Sequence, residues 1–384
     1  MKIICTTSIP FAREVFGPLG ELEIIEPRRI SPAAVKDAEI LICRSTLKVG
    51  GGLLANSRVK FVGTCTIGHD HLDADYLEKN GITWTAAPGC NANSVAEYVT
   101  TALLYLARRH GFQLRDKTIG IIGVGNVGRL VLKKAKALGM RALLNDPPLY
   151  DQTGEPAYRP LDEALSSADI VTLHVPLTTS GKYPTFHLAG RDFFSRAGKG
   201  RIFINAARGA VLDSDCFLEA VRGGIVAHAV IDCWENEPAF RLDVMEAADV
   251  ATPHIAGYSL EGRVMGTVLV YRKLCKFLGR EPALSLENLL PPPVVPEIRL
   301  DASALLDEEA LASVAGRIYD VAADDRRLRE NAPEDAAVRS INFELLRKHY
   351  PVRREFRYSR VVLQNGGESL AERLRKLEFQ VASG

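Results

Sequence analysis

The stretch Thr118-Ile-Gly-Ile-Ile-Gly-Val-Gly-Asn-Val-Gly-Arg129, followed by Arg141-Ala-Leu-Leu-Asn-Asp146, decides the fold. It reads as a strand, a glycine turn, a helix, a second strand and a terminal acid. Gly123, Gly125 and Gly128, with Asn126 and Val127 in the same turn, fit G-x-G-x-x-G. The first glycine permits a tight turn, the second lets the backbone approach a pyrophosphate, and the third lets helix pack on strand. The apolar run before the turn suits a strand buried on both faces, and Val127, Leu130, Val131, Lys134, Ala135 and Leu138 give the helix an apolar stripe with a polar back. Asp146 lies 18 residues past the last glycine. A carboxylate there accepts hydrogen bonds from a ribose 2'-hydroxyl and repels a 2'-phosphate, so the expected cofactor is NAD rather than NADP. Asp146 also precedes Pro147-Pro148, where a plain turn acid would serve.

Outward from this unit the pattern continues. Strands expected at Ile170 to Val175, Arg201 to Asn205 and Val226 to Ile231 alternate with helices near Leu161 to Ala168 and Ser214 to Arg222, which predicts an α/β doubly wound parallel sheet. Ligands of such sheets sit outside the carboxyl ends of the strands, where Asp146, Val175, Ala206-Ala207-Arg208 and Asp232 fall. Upstream come short strand candidates at Lys2 to Thr6, Glu39 to Ser45, Lys60 to Thr66 and Ile82 to Ala87. A long helix follows from about Asn93 to Arg109, with Ser94 and Glu97 reading as a capping box. Downstream, a helix over Tyr258 to Leu278 precedes the stiff connector Leu290-Pro-Pro-Pro-Val-Val-Pro296. The remainder, with a helical stretch at Glu308 to Arg329 and a strand-like piece at Ser359 to Leu363, predicts a small accessory domain.

At 384 residues the chain is long enough for two or three domains. A net charge of +1 with interspersed acids and bases argues against nucleic acid and anionic membranes as partners. No apolar run reaches the ~20 residues of a membrane-spanning helix, and the amino-terminal run is too short for a signal peptide, so a cytoplasmic protein is expected. The 7 cysteines lack C-x-x-C spacing and read as reduced, mostly buried thiols.

Three further segments carry chemistry: Asn205-Ala-Ala-Arg208-Gly, Asp232-Cys-Trp-Glu-Asn-Glu237-Pro and Thr252-Pro-His254-Ile-Ala-Gly257-Tyr258. With the glycine motif they resemble the signatures of the D-isomer-specific 2-hydroxyacid dehydrogenases over roughly the first three quarters of the chain. Within that family, Pro88-Gly-Cys-Asn91-Ala, His254 to Gly262 and the proline-linked tail resemble the branch that oxidises 4-phospho-D-erythronate in pyridoxal phosphate biosynthesis. The resemblance implies a Rossmann-type NAD domain (95–256) inserted in a flavodoxin-like substrate domain (1–94 and 257–285). It also implies a C-terminal α/β dimerisation domain (286–384), hence a homodimer.

Oxidising an alcohol needs a base for the hydroxyl proton while a hydride leaves the same carbon. His254 is the expected base. The resemblance makes Glu237 the acid that fixes its tautomer, and the planar fork of Arg208 suits the substrate carboxylate. The expected cofactor contacts are Gly123, Gly125, Asn126, Val127, Gly128, Asp146, Val175, Ala206, Ala207, Arg208, Asp232 and Gly257. Position 175 is Val where the family carries Thr, so a side-chain hydrogen bond to cofactor is lost there. Thr6-Thr7-Ser8 likewise replaces a more acidic segment.

For the phosphorylated substrate the resemblance points to Ser45, Thr66 and Tyr258, and Arg44 beside Ser45 is a candidate for the phosphate charge. The basic run Arg347, Lys348, Arg353, Arg354 and Arg357 is a second candidate or else a solvated face. No metal is expected: hydride transfer to NAD requires none, and His69-Asp70-His71 reads as a loop that shapes the substrate side. Two other readings stay open, a dehydrogenase of 3-phosphoglycerate or a small unphosphorylated 2-hydroxy acid, and an NAD-sensing corepressor-like scaffold that binds peptides.

Overall fold

The structure, a computed structural model, describes residues 1–384 apart from the side chain of Ser383. Its contacts divide the chain into two units, Met1–Ala92 with Tyr258–Pro292 and Asn93–Gly257 with Pro293–Gly384.

In the first unit, β1 (Lys2–Thr6), β2 (Glu21–Ile25), β3 (Ile40–Cys43), β4 (Phe61–Thr64) and β5 (Thr83–Thr85) form a parallel sheet in the order β2-β1-β3-β4-β5. That is the flavodoxin-like order. Every residue of β3 and β4 is buried, as suits parallel strands covered on both faces. The helix Leu260–Phe277 belongs here although it lies far away in sequence. Its Val270, Tyr271, Leu274 and Cys275 share a core with Ile3, Cys5 and Phe61. The strand β2, absent from the sequence reading, is an edge strand with no fully buried residue, so it has no apolar run to betray it.

The second unit is built on β6 (Thr118–Ile122), β7 (Arg141–Asn145), β8 (Ile170–Leu173), β9 (Arg201–Asn205), β10 (Val226–Ile231) and β11 (Val250–Ala251). All are parallel, in the order β11-β10-β9-β8-β6-β7. Tyr158 makes a single parallel bridge to Leu144 beyond β7. Counting it as a vestigial strand gives the Rossmann order, with a switch point between β6 and β8.

The glycine turn sits at that switch point. Gly123 has φ 90°, and a side chain on it would come within 2.7 Å of the His174 carbonyl. A side chain on Gly128 would lie 2.1 Å from the Gly123 carbonyl oxygen, whereas one on Gly125 would meet no protein atom within 4 Å. Protein packing thus demands glycine at 123 and 128 but not at 125, where close approach of a ligand is the remaining reason.

Of the segment expected as a C-terminal domain from 286 onward, residues 286–292 group with the first unit and Pro293–Gly384 with the second. It does carry a parallel sheet of its own, β12 (Glu297–Asp301), β13 (Arg360–Gln364) and β14 (Gln380–Ser383). Yet its Leu328 and Phe343 lie in one core with Trp234 and Phe240. Arg329 donates to the carbonyls of Met245 and Ala248, and Arg339 to that of Phe240. The buried Lys134 reaches Glu378 at 3.2 Å. The single helix expected over Glu308 to Arg329 is broken into Asp307–Ile318 and Val321–Glu330, because the Asp320 carboxylate caps the second piece through Ala323 N–H.

The long helix spans Ala92–His110, so Ser94 and Glu97 stand inside it and form no capping box. Glu97 accepts instead from Phe356 N–H at 3.0 Å and from Asn93 at 3.1 Å. All cysteines are free, and Cys5, Cys43, Cys65, Cys233 and Cys275 are buried. Among the described residues no helix is long and apolar enough to cross a membrane.

This packing has measurable consequences. Gly128→Ala lowers stability by about 1–3 kcal/mol, as overpacking does, and Gly125→Ala leaves thermal unfolding nearly unchanged while weakening NAD binding, both checked by melting curves and cofactor titration. Acid acts through two half-buried histidines. Burial pushes His71, which bonds Thr64 Oγ1, down to about 4 and His174 down to about 3. Both imidazoles are therefore neutral in the fold and charge more readily once unfolded. Stability is full above the ordinary histidine value near 6.5 and falls as pH drops from there toward the folded values. Melting curves at stepped pH show this slope, and His71→Gln flattens it.

Candidate active site

The catalytic loop is organised by one buried carboxylate. Asp232 follows β10 and is 1% exposed. Its Oδ1 accepts from Thr252 Oγ1 at 2.7 Å and Ile255 N–H at 2.8 Å, and its Oδ2 accepts from Ala256 N–H at 3.0 Å. Burial pushes its carboxyl upward, although His254 and these donors pull the other way. Tyr98 and Trp234 complete the brace: the Tyr98 hydroxyl lies 2.7 Å from Thr252 Oγ1, and Trp234 Nε1 donates to the Thr252 carbonyl at 2.8 Å. Asp232, expected among the cofactor contacts, thus spends its carboxylate on the loop from 252 to 256.

That loop presents His254 in the left-handed region, φ 54°. A non-glycine residue held there stores local strain on the order of 1–3 kcal/mol. It is pinned by its own N–H, which donates to the Asp232 carbonyl at 2.8 Å and the Thr252 carbonyl at 3.0 Å. The His254 Nδ1 lies 2.5 Å from Glu237 Oε1. Because an ionised carboxylate only accepts, Nδ1 carries the proton, and in the neutral ring Nε2 presents a lone pair. Burial pushes the Glu237 carboxyl up, but the charge and hydrogen bond of His254, with the charge of Arg347 and the Trp234 N–H, bring it below its usual value. Glu237 is thus held as the anion, with Oε2 fixed by Trp234 N–H at 3.1 Å.

Arg208 ends the loop after β9, with Nη1 donating to the Ala207 carbonyl at 2.8 Å. Asn205, not among the expected site residues, stitches this loop to the next. Its Nδ2 donates to the carbonyls of Arg208 and Cys233, and its Oδ1 accepts from Ala207 N–H. Ala206, Ala207 and Arg208 therefore lie beside the segment that opens with Asp232.

Around the glycine turn, Asn126 and Val127 open the helix Asn126–Ala137. Val175 packs on the turn, its Cγ1 2.9 Å from where a side chain of Gly123 would begin. Asp146 does two things at once. Its Oδ2 accepts from Val124 N–H at 2.8 Å, inside the turn, and its Oδ1 caps the helix Pro147–Thr153 through Leu149 N–H at 3.0 Å. The sequence reading has only a turn there. Gly257 closes the catalytic loop.

The expected substrate-side residues belong to the first unit. Arg44 follows β3, half-buried, with Nη1 lacking a hydrogen-bond partner, and Ser45 is exposed. Thr66 donates to the Gly68 carbonyl at 2.8 Å and lies 2.8 Å from Thr64 Oγ1. Tyr258 has the guanidinium of Arg263 over its ring at 5.8 Å. Arg263 is missing from the sequence reading. Its Nε is buried without a hydrogen-bond partner, and burial, then the nearby charge of Arg44, push its pKa down. Two like charges held together with unmet N–H groups suit an anion such as phosphate. The available signal was a cation in the first turn of a helix, where the dipole disfavours it.

The carboxy-terminal basic run is divided: Lys348 and Arg357 are exposed, whereas Arg347 is half-buried. Arg353 and Arg354 are buried. Arg353 stacks on Tyr319 at 4.3 Å and donates to the Ala256 carbonyl, while Arg357 pairs with Glu355 at 2.8 Å. Arg347 is held by Glu344 at 3.2 Å, and its charge acts on Glu237.

A family model described as the NAD binding domain of D-isomer specific 2-hydroxyacid dehydrogenases matches residues 95–256, and one described as a domain of unknown function matches 289–377. Erythronate-4-phosphate dehydrogenase of Sodalis glossinidius is 43% identical over 99% of this chain and 98% of its own length. That of Serratia proteamaculans is 43% identical over 100% of both. Among solved structures, the TT0316 protein of Thermus thermophilus has TM-score 0.63 and 28% identity, covering 74% of this chain and 99% of its own. D-lactate dehydrogenase of Aquifex aeolicus, complexed with NAD and lactic acid, has TM-score 0.58 and 26% identity, covering 72% of this chain and 96% of its own. The chain belongs to the erythronate-4-phosphate dehydrogenase family of D-isomer specific 2-hydroxyacid dehydrogenases.

Proposed function

We propose that the chain oxidises 4-phospho-D-erythronate at its 2-hydroxyl to 2-oxo-3-hydroxy-4-phosphobutanoate, a step of pyridoxal phosphate biosynthesis, in the cytoplasm and as a homodimer. The observation that carries the chemistry is the 2.5 Å contact between His254 Nδ1 and Glu237. NAD, when bound, accepts the hydride from the alcohol carbon. The glycine turn from Gly123 to Gly128 and Asp146 would hold it, and the open space at Gly125 fits that task.

His254 Nε2 takes the hydroxyl proton as the carbonyl forms, and Glu237 offsets the positive charge that this places on the ring. Arg208 holds the substrate carboxylate through its fork. Arg44 and Arg263 would take the phosphate, with the hydroxyls of Ser45, Thr66 and Tyr258 beside them. The charge that these two guanidiniums place together is the feature that favours a phosphorylated acid over lactate-sized ones. Support for the dimer comes from Val338, Ile341 and Leu345, all exposed at i, i+3, i+7 spacing on the helix Ala336–Lys348.

The direct test follows nicotinamide reduction with 4-phosphoerythronate, erythronate and 3-phosphoglycerate, with 2-oxoglutarate added to regenerate any tightly held cofactor. The phosphorylated four-carbon acid gives the highest kcat/KM; equal rates on 3-phosphoglycerate overturn the substrate assignment. His254→Gln lowers kcat roughly 10²–10⁴-fold, the usual worth of a general base. Arg263→Gln raises KM for 4-phosphoerythronate about 10-fold or more, the scale of one lost charged hydrogen bond, and leaves KM for erythronate unchanged. Ile341→Glu converts the dimer to monomer in light scattering.

A further inference from the structure

At the amino ends of the same strands whose carboxyl ends carry Asp232 and His254, two imidazoles converge on one carboxylate oxygen. His110 closes the helix Ala92–His110, His228 lies in β10, and Asp249 directly precedes β11. His110 Nε2 is 3.0 Å and His228 Nδ1 3.3 Å from Asp249 Oδ1. The rings lie face to face, their centroids 3.7 Å apart with a 34° tilt. All three donor atoms fall within 4.8 Å of one another.

The carboxylate is set in advance. Its Oδ2 accepts from Ala229 N–H at 3.1 Å, while Asp249 N–H donates to the Ala229 carbonyl at 2.9 Å. The helix end, β10 and the start of β11 thus each supply one ligand. Nearby cations are engaged elsewhere: Arg109 on Tyr105, and Arg329 on Asp325 and the Ala248 carbonyl.

We infer that His110, His228 and Asp249 form a binding site for a divalent transition-metal ion, Zn²⁺ by ligand type. Nitrogen and oxygen ligands at ~2.0–2.1 Å in a tetrahedron lie about 3.3 Å apart, close to the two nitrogen–oxygen separations observed. On binding, the ion takes the lone pairs of the two facing nitrogens, which therefore carry no proton, and replaces their hydrogen bonds to Oδ1. The Ala229 N–H stays on Oδ2 and orients the carboxylate from behind. A fourth position is left for water. The site lies away from the reacting groups, so its effect is to clamp the end of the helix to the sheet.

The full-length protein, stripped with a chelator, is titrated with zinc chloride by calorimetry and melted with and without the ion. One ion binds per chain, and the melting temperature rises as it saturates, since the ion favours the folded state. His110→Ala, an exposed change, and Asp249→Asn, which keeps the acceptor for Ala229, each weaken zinc binding at least about 10-fold. NAD-dependent turnover of the metal-free protein stays unchanged in His110→Ala. Zinc affinity equal in wild type and both variants, or a thermal shift that persists in both, assigns the binding to other groups such as the thiols and overturns the proposal.

Discussion

The catalytic loop depends on satisfying the Asp232 carboxylate away from water. An anion in that position is tolerable only with several donors aimed at it, and here a hydroxyl and two backbone amides supply them. Those donors come from consecutive parts of one short loop, so meeting the demand of the acid fixes the path of the main chain through residues 252 to 256. His254 is carried along in a backbone conformation that it would not choose. The direction of the ring is then set by Glu237. The base is positioned first by the backbone and only then by its partner, so the geometry does not rely on a flexible side chain finding its own place.

How legible this was in the sequence varied with burial. β1, β9, β10 and the helix Ser214–Arg222 match their expected limits; β9 and β10 follow glycines and the helix follows its capping acid Asp213, while β1 is a short apolar run. β2 escaped because half of its surface is wet, and the Tyr158 bridge because one residue carries no periodicity. The helix Pro147–Thr153 escaped because its cap, Asp146, had been given a ligand-binding role; in the fold the same carboxylate also reaches the glycine turn. The return of the helix Leu260–Phe277 to the first sheet depends on contacts such as Val270 with Gly63, which no local pattern records. Of the site, the types His254 and Arg208 could be read from chemistry, and Glu237 from the resemblance. Arg263 and Asn205 could not, since their roles lie in what they stand beside.

The tail shows how polar anchors tie a segment that begins beyond a boundary, at Pro292–Pro293, to residues 93–257. Prolines 291 to 293 suggest a spacer, and the sheet that follows has its own strands. Yet Lys134, nearly inaccessible to water, reaches the carboxylates of Glu378 and Glu97, and Arg353 passes under Tyr319 to the Ala256 carbonyl. A buried cation commits the groups around it to staying put, because separating them would strand a charge. The carbonyl of Ala256 and its amide are thus gripped from opposite directions, one by the tail and one by Asp232.

The thiols carry a consequence for how this protein meets chemical stress. Burial pushes Cys5 and Cys43 up to about 12 and Cys65 and Cys233 upward as well. At neutral pH these sulfurs are not thiolates, and the thiolate is the species that peroxides and alkylating agents attack. Cys233 adjoins the acid that braces the catalytic loop, yet it contributes bulk rather than reactivity. Beside Asp232, an oxidant thus meets a buried, protonated thiol rather than an activated sulfur.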